Sequence, residues 1–411
     1  MARDKGTGSV SWNESKQRWI GTIEAGWTSR GTRRRISVTA RTKRECIQKL
    51  RAKTVEMERT GLAEEGRRQN MTVKVFADEW LTHQETKLEP SGYVTARTAV
   101  NQWIIPTIGH RKLAQIQARD VRAVATSIRK AGRTESTISR YHGVLMKMLK
   151  DAVRDGHSVT QSALNAEAVT PSKSVRQAIP LNDVTLILEQ ASQEPDYSRW
   201  LAAFYAALRP AEARGLTWDR VDFDMAGWGA LEISWQLKAL PYKVSRDRTS
   251  GFRVPVGYEA QQVKHSWHLV RPKTDAGDRW IPLHPTLKKA LQLWEPVCPG
   301  EYGLVWPNLT GEISRAYGGP REDKPDRAAW KRLCEQAGVP AYELYEARHT
   351  AAGFLRDDGV PEETITMIMG HTSIKSTMAY LHSTLESAGK YLQSAAGVVV
   401  APDPGVPLLT R

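Results

Sequence analysis

The chain of 411 residues is 40% hydrophobic and 25% charged, a composition typical of globular proteins that predicts two to four domains. Its 59 Lys and Arg against 45 Asp and Glu give a net charge of +14, which favours a polyanionic partner. The longest apolar run, 200–208, is shorter than the roughly 18–20 residues of a membrane span, and three cysteines are too few for a disulfide framework.

The first 60 residues predict a small unit of three strands and one helix. Short alternating runs at 10–12, 18–23 and 35–39 are typical of strands separated by turns. Thr42 and Glu45 then form a capping box, which predicts the beginning of a helix.

Basic residues are concentrated in this unit. Residues 1–59 contain fifteen Lys and Arg against six Asp and Glu, so nine of the fourteen excess positive charges lie there. Arg33, Arg34 and Arg35 follow one another on one strand edge, and a sheet of this kind can enter a DNA groove. The alternative is a basic edge strand that its charges protect against aggregation.

The rest of the chain divides into a helical part and a mixed part. Helices are predicted at 121–130 and 137–154, with a turn around Pro106 and Gly109. Beyond residue 179 we predict helices at 182–192 and 199–208, strands at 231–235, 267–270 and 279–283, and an insertion loop at 239–262. The last two strands are expected to form a hairpin.

The predicted fold class is therefore multidomain α+β. The expected divisions are a DNA-binding domain at 1–60, a linker at 61–71, a helical domain at 72–168, a linker at 169–178, a mixed, mainly α domain with a small antiparallel sheet at 179–393, and a tail at 394–411.

Arg209 and Lys273 are the first two candidate site residues. Arg209 follows the predicted apolar helix, and Pro210 fits the first position of the next helix with Glu212 in its first turn. A guanidinium at this junction needs an anion, either Glu212 itself or a phosphate. Lys273 lies near the tip of the predicted hairpin, where it is either solvated or able to donate a proton to a leaving oxygen.

Two further segments place candidate residues on helices. Arg348 is predicted at the rim of an apolar stripe, with Tyr345 one turn before it, so it either extends to solvent or meets a buried anion. Gly370 is predicted to end a helix, and His371 follows it directly. Tyr380 projects from the polar face of the next predicted helix, where a core tyrosine would not lie.

Together these segments resemble the active-site boxes of the tyrosine recombinase, or phage integrase, family. Arg209 matches the arginine of its Leu-Arg-x-x-Glu box, Lys273 its hairpin lysine, Arg348-His349 its His-x-x-Arg-His box, and Gly370-His371 with Tyr380 its Gly-His…Tyr box. Four boxes in this order and spacing are specific, although each alone is weak. The helical domain and the basic first 60 residues are similar to the core-binding and arm-binding domains of the family.

The resemblance implies a site-specific DNA recombinase that integrates and excises a phage or mobile-element genome through a 3′-phosphotyrosine on Tyr380. Arg209 and Arg348 would clamp the non-bridging oxygens of the scissile phosphate. Lys273 would protonate the 5′-oxygen, and His371 would bind the phosphate or assist proton transfer at the tyrosine. No metal and no other cofactor is expected.

The same resemblance implies the partners. These are double-stranded DNA at core and arm attachment sites and three further copies of the chain in a tetramer on DNA. A host DNA-bending factor and an excision directionality factor are additional candidates. A location in the bacterial cytoplasm, associated with the nucleoid, is expected, because the polar start of the chain shows no signal-peptide pattern.

One position departs from the family pattern. Tyr345 stands where the family box has His or Lys, and a phenol can donate a hydrogen bond but carries no positive charge near neutral pH. His349 lies about 100° round the helix from Arg348 and is not expected to substitute. Tyr345 is therefore only a candidate site member. The departure favours one alternative, a catalytically impaired DNA-binding regulator of the same fold. A DNA-relaxing topoisomerase with the same tyrosine chemistry is a separate alternative, although the basic N-terminal unit fits an integrase better.

Overall fold

A computed structural model describes residues 9–27, 33–60, 71–172, 178–272, 277–310, 317–370, 389 and 401–405, with the backbone alone at 25–27, 33–34 and 56–60. The chain divides into two compact units. The first comprises Met1–Glu85 and Ser91–Ser172, and the second comprises Thr86–Pro90 and Lys173–Arg411. No helix among the described residues is long and apolar enough to cross a membrane.

The first unit begins with the predicted three-stranded sheet and helix. The strands are β1 (Ser9–Asn13), β2 (Arg18–Trp27) and β3 (Arg33–Ala40), antiparallel in the order β1-β2-β3, and the helix is α1 (Lys43–Thr60). Thr42 Oγ1 accepts a hydrogen bond from the Glu45 amide at 3.2 Å, as the capping box predicts. Ile23 of the sheet and Leu50 of the helix are buried together, so the helix covers one face of the sheet.

Helices form the remainder of the first unit. They are α2 (Val73–Glu85), α3 (Pro90–Thr98), a π-helical segment (Ala99–Ile104), α4 (Ile105–Ile108), a 3₁₀ turn (Leu113–Gln115), α5 (Ala118–Lys130), α6 (Glu135–Arg154) and α7 (Gln161–Leu164). The turn predicted around Pro106 and Gly109 is confirmed at Gly109 and wrong at Pro106. Pro106 lies in the first turn of α4, where the π-helical segment shifts the hydrogen-bond register and a missing N–H is tolerated.

The second unit contains seven α-helices among its described residues. They are α8 (Leu181–Ala191), α9 (Tyr197–Tyr205), α10 (Pro210–Arg214), α11 (Pro285–Trp294), α12 (Asp323–Gln336), α13 (Leu344–Asp357) and α14 (Glu362–Met369). Short 3₁₀ turns occupy Trp218–Arg220, Met225–Gly227 and Glu295–Val297. Four fully buried tryptophans, Trp200, Trp294, Trp306 and Trp330, lie in the core of this unit.

Two small antiparallel sheets lie in the second unit, where the sequence predicts one. The first has the order β4 (Val221–Asp222), β5 (Ala230–Ile233), β9 (Arg279–Pro282), and the second has the order β6 (Gln236–Ala239), β8 (Trp267–Val270), β7 (Ala260–Lys264). The predicted hairpin between β8 and β9 is therefore wrong. Because β6 and β7 pair with both edges of β8, no edge of β8 remains for β9, which pairs with β5.

Candidate active site

Arg209 lies in a short non-helical connection between α9 and α10. The sequence predicts a helix as far as Leu208, but α9 ends at Tyr205 and Ala207 adopts a left-handed φ of 50°. Arg209 itself is extended, as expected for a residue before a proline, and Pro210 begins α10 as predicted. The connection turns the backbone so that Ala207 presents its carbonyl and Arg209 its guanidinium to the helices that follow in sequence.

The Arg209 guanidinium joins two segments that are distant in sequence. Its Nη1 donates to Glu212 Oε1 at 2.6 Å, and its backbone N–H donates to Glu212 Oε2 at 2.9 Å. Its Nη2 donates to the carbonyl oxygen of Gly370 at 3.0 Å. The Arg209 side chain is 27% exposed, so it remains accessible to a ligand from solvent.

Arg348 lies on α13 and is only 1% exposed, so the rim position predicted from the sequence is wrong. Its Nη1 donates to the carbonyl of Ala207 and its Nη2 to the carbonyl of Met369, and no carboxylate in the described part of the chain pairs with it directly. Its Nε is buried with no hydrogen-bond partner among the described residues. Burial, together with the positive charge of Arg209, lowers the pKa of Arg348 to about 10.

Arg279 on β9 is a third arginine of this cluster, and the sequence analysis missed it. Its Nη1 and Nη2 donate to Glu212 Oε1 and Oε2 at 3.2 and 2.9 Å, and its Nε donates to the Ile368 carbonyl at 2.7 Å. Burial raises the pKa of Glu212, but Arg279 and Arg209 outweigh that effect and the pKa is lowered. The available signal was an arginine within the otherwise apolar strand Arg279–Pro282, since a buried arginine needs an acid.

Tyr345 lies on the first turn of α13, three residues before Arg348, and is partly buried. Its ring contacts that of His349 edge to face, with centroids 5.3 Å apart. His349 is exposed while Arg348 is buried, in agreement with their expected separation round the helix.

The predicted site residues Lys273, His371 and Tyr380 lie outside the described residues. Arg271 and Asp278, which lie on either side of the segment that carries Lys273, form an exposed ion pair with Nη1 3.3 Å from Oδ2. His371 follows directly on Gly370, which ends α14 with a left-handed φ of 58° as predicted.

Arg33, Arg34 and Arg35 lie on β3, an edge strand of the first sheet. Arg35 is exposed and lies opposite Glu24 in the strand register. The structure describes the backbone of Arg33 and Arg34. These positions agree with the edge strand predicted from the sequence, whereas their binding to DNA stays a prediction.

The cluster formed by Arg209, Arg279, Arg348 and Glu212 carries three positive charges and one negative charge. Such a net positive, largely dehydrated site favours an anion, and guanidinium groups suit the paired oxygens of a phosphodiester. Among the residues that the structure describes, no group of three His, Cys, Asp or Glu side chains could hold a metal ion. The arginines of this cluster are able to stabilise an oxyanion electrostatically.

The chain is similar to known protein families and proteins over most of its length. The sequence matches the Phage integrase family over residues 177–387 and the Phage integrase central domain over residues 73–167. It is 26% identical to an integrase of Streptomyces ambofaciens over 91% of this chain and 92% of that protein. It is 23% identical to an integrase of Saccharopolyspora erythraea over 89% and 90% of the two chains.

Solved structures share the fold. The Tn1549 transposon integrase in complex with transposon right end DNA has a TM-score of 0.59 at 16% identity, covering 77% of this chain and 99% of that one. A lambda integrase dimer bound to a COC′ core site has a TM-score of 0.53 at 14% identity, covering 95% and 98%.

Proposed function

Because this chain belongs to the phage integrase family, we propose that it is a site-specific recombinase that cuts and rejoins DNA strands through a covalent 3′-phosphotyrosine, to integrate and excise a mobile genome. Its relatives of similar length are named integrases, which supports this interpretation. A phosphotyrosine ester suits the reaction, since it conserves the energy of the phosphodiester for the rejoining step.

In the proposed cleavage step the phenolic oxygen of Tyr380 attacks the scissile phosphorus. A bond forms between that oxygen and phosphorus, and the bond from phosphorus to the 5′-oxygen breaks. His371 accepts the proton of the phenol directly or through water, and Lys273 donates a proton to the departing 5′-oxygen. Attack by a 5′-hydroxyl of another strand on the phosphotyrosine reverses these changes and completes strand exchange.

One observation carries the proposal: Arg209 and Arg348 converge on two consecutive carbonyls. Arg209 donates to Gly370 and Arg348 to Met369, although they come from elements more than a hundred residues apart. Two guanidiniums at one point can neutralise the negative charge that builds on both non-bridging oxygens during attack. The backbone that they contact belongs to the start of the Gly-His…Tyr box, because His371 follows Gly370 directly in the sequence.

Arg348 retains a donor for the phosphate. Its Nε has no acceptor among the described residues, and an unpaired buried donor costs about 1–3 kcal/mol. A phosphate oxygen that reaches this donor would remove that cost. Access requires the backbone at Met369 or Ala207 to yield, because Arg348 is fully buried in the structure.

The proposed partners follow from the relatives. The structures of the Tn1549 and lambda integrases contain DNA, and a lambda integrase tetramer is bound to a Holliday junction, with a TM-score of 0.50 to this chain. We propose that four copies of this chain act on two duplexes at core sites and that the sheet carrying Arg33, Arg34 and Arg35 binds separate arm sites.

The test of the chemistry is a nicked duplex that carries the attachment site found in DNA flanking the gene. The nick lets the cleaved fragment diffuse away, so the covalent intermediate accumulates. We expect a denaturation-resistant protein–DNA adduct with the unaltered protein and none with Tyr380→Phe. Tight DNA binding without any adduct would instead indicate the catalytically impaired regulator.

Two further measurements test the topoisomerase alternative and the proposed arm-binding role. Relaxation of supercoiled DNA that lacks the attachment site would favour a topoisomerase. Combined replacement of Arg33, Arg34 and Arg35 by alanine should leave cleavage of a core-site duplex intact while integration at a complete attachment site is lost. Unimpaired integration by this variant would contradict the arm-binding role.

A further inference from the structure

We propose that Arg279 is a positioning residue for DNA cleavage: it holds Glu212 and the backbone before Gly370 in the geometry that aims Arg209 at the scissile phosphate. This inference rests on the proposed function. It assigns a role to a third arginine that no step of the proposed chemistry uses directly.

The carboxylate of Glu212 is shared symmetrically. Its Oε1 accepts one hydrogen bond from Arg209 Nη1 at 2.6 Å and one from Arg279 Nη1 at 3.2 Å. Its Oε2 accepts one from the Arg209 amide at 2.9 Å and one from Arg279 Nη2 at 2.9 Å. The bidentate grip of Arg279 therefore fixes the plane of the carboxylate, and the carboxylate in turn fixes the side chain and backbone of Arg209.

Arg279 also joins three segments of the site. Its Nε donates to the carbonyl of Ile368 in the last turn of α14, two residues before the Gly370 turn. Its Nη1 donates to the carbonyl of Gly277, at the end of the segment that carries Lys273. Through Glu212 it reaches the Arg209 connection. One buried guanidinium thus contacts the carboxylate of Glu212, the end of the segment that carries Lys273, and the helix that ends at Gly370.

Arg279 does not itself face a ligand. Its side chain is 4% exposed, against 27% for Arg209. Its hydrogen bonds go to Glu212 and to two backbone carbonyls, all within the protein. All three side-chain nitrogens of Arg279 are thus engaged, whereas the likewise buried Arg348 keeps an Nε that has no partner among the described residues. Arg279 therefore acts through Arg209, because a phosphate-binding arginine needs a donor that is left for the ligand.

The test measures cleavage of the nicked attachment-site duplex under single-turnover conditions, so that the rate constant and the final amount of adduct are obtained separately. Loss of folded protein lowers the final amount, whereas loss of positioning lowers the rate constant. The matched control is Arg199→Met, because Arg199 is a buried arginine paired with a buried carboxylate, Asp326, at 2.9 Å.

We expect Arg279→Met to lower the cleavage rate constant by roughly 100-fold, with DNA affinity changed by less than about threefold. Arg279→Lys keeps the positive charge but cannot donate two parallel hydrogen bonds to the carboxylate, so its rate constant should lie between those of Arg279→Met and the unaltered protein. Arg199→Met should reduce the amount of adduct and leave its rate constant within about threefold of the unaltered protein.

A double variant checks the route through Glu212. The cleavage rate constant of Glu212→Gln combined with Arg279→Met should lie within about threefold of that of the slower single variant, since both residues act on Arg209. Two outcomes would overturn the assignment. In one, the losses in rate constant of the two single variants multiply in the double variant. In the other, Arg279→Met and Arg279→Lys both cleave with the rate constant of the unaltered protein. Failure of the unaltered protein to form any adduct would instead contradict the proposed function.

A second inference has an independent basis in the insertion arm, residues 240–258 between β6 and β7. The arm carries Lys243, Arg246, Arg248 and Arg253 against a single acid, Asp247. We infer that this arm contacts the phosphate backbone of duplex DNA. The inference also rests on the proposed function, but it concerns affinity and makes no claim about chemistry.

The insertion arm is a folded structure of its own. The rings of Tyr242 and Phe252 stack with centroids 5.0 Å apart, and Phe252 packs edge to face on His268 of β8 at 4.2 Å. Arg253 Nη2 donates to the carbonyl of Lys243 at 2.8 Å and joins the two sides of the arm. An arm ordered in this way presents its charges at little further cost in conformational entropy.

The exposed cations lie at the tip of the arm. Lys243, Arg246 and Arg248 are exposed, and Arg246 has a left-handed φ of 67°. Asp247 Oδ1 accepts hydrogen bonds from the amide and hydroxyl of Thr249 at 2.9 and 2.6 Å, which stabilise the turn. The tip is therefore a compact concentration of positive charge that fits a polyanion.

The measurement is the salt dependence of binding to an attachment-site duplex. Replacement of Lys243, Arg246 and Arg248 by glutamine should reduce the slope of log affinity against log salt by about 0.9 for each phosphate that the arm no longer neutralises. The control replaces Lys324, Lys331 and Arg332, three exposed cations on α12, in the same way. An unchanged slope in the arm variant, or an equal change in the control, would exclude a specific role of the arm in DNA binding, while retained adduct formation would leave the proposed function intact.

Discussion

Arg209 and Gly370, 161 positions apart in the sequence, are joined by a hydrogen bond of 3.0 Å from Nη2 to the carbonyl oxygen. Gly370 can present this carbonyl because it adopts the left-handed conformation that ends α14. The bond places Arg209, a candidate phosphate ligand, beside Gly370, the first residue of the Gly-His…Tyr box. The candidate active site is thus assembled at a helix terminus by contacts between segments that are distant in the sequence.

Replacement of Arg209 by alanine should lower the rate of DNA cleavage by about 10²–10³, or about 3–4 kcal/mol of transition-state stabilisation. The reason is that its guanidinium is partly exposed, so a phosphate can reach it from solvent. DNA affinity should change little, since most affinity comes from phosphate contacts elsewhere. Single-turnover cleavage and equilibrium binding measure the two effects, and equal losses in both would mean that Arg209 is only structural.

Tyr345→His should hold or raise cleavage activity. Tyr345 is only partly buried and lies three residues before Arg348, so an imidazole can occupy the position and add a cationic donor. The relevant measurement is the cleavage rate constant between about pH 6 and pH 8, with Tyr345→Phe as the control for the hydroxyl. A collapse of activity together with lower stability would show that Tyr345 is required for packing.

His284 should make the protein less stable as the pH falls. Burial lowers the pKa of His284 to about 4, whereas in the unfolded chain it is about 6.5. Between these values the unfolded chain binds a proton that the folded chain does not. The stability at neutral pH is therefore lost as the pH falls from about 6.5 to about 4, by about 3 kcal/mol in total.

The variant that tests this is His284→Asn. His284 Nδ1 accepts from the Thr286 amide at 3.2 Å and caps α11, and asparagine can keep that cap without titrating. We expect the free energy of unfolding, measured by chemical denaturation, to fall less steeply with pH in this variant. Parallel pH dependence in both proteins would contradict the assignment.

Asp326→Ala should destabilise the second unit by about 3–5 kcal/mol. Asp326 is fully buried, Arg199 Nη2 lies 2.9 Å from its Oδ2 and Arg321 Nε lies 2.8 Å from its Oδ1. Its removal leaves two buried guanidiniums without this carboxylate. Asp323→Ala is the control, because the Asp323 side chain is 46% exposed, and should cost less than about 1 kcal/mol. Thermal denaturation compares the two, and equal losses would contradict a special role for burial.

Local features of the fold could be predicted from the sequence. The cap at Thr42, the helix that Pro210 begins and the helix that Gly370 ends all follow from which backbone angles and hydrogen bonds a single residue allows. The order of the four motifs likewise identified the family, since it depends on residue type and spacing alone.

The pairing of strands and the burial of charge could not be predicted in this way. The strands β8 and β9 are consecutive in the sequence, which favours a hairpin between them. Both edges of β8 are already paired with other strands, and only the assembled sheets show this. Arg348 carries no sequence signal of burial, and the apolar strand around Arg279 is only a weak one, yet both are buried. Whether an arginine is buried depends on acceptors such as Glu212 and the Ala207 carbonyl, which distant segments supply.

The sequence by itself therefore determined the family, the types of its elements and the candidate residues, because these depend on short-range rules of conformation and composition. Only the tertiary structure decided which arginines share a carboxylate, which carbonyls they bind and which guanidinium stays accessible. The physical reason is that the energy of a buried charge is set by every group around it, and those groups come together only when the chain folds.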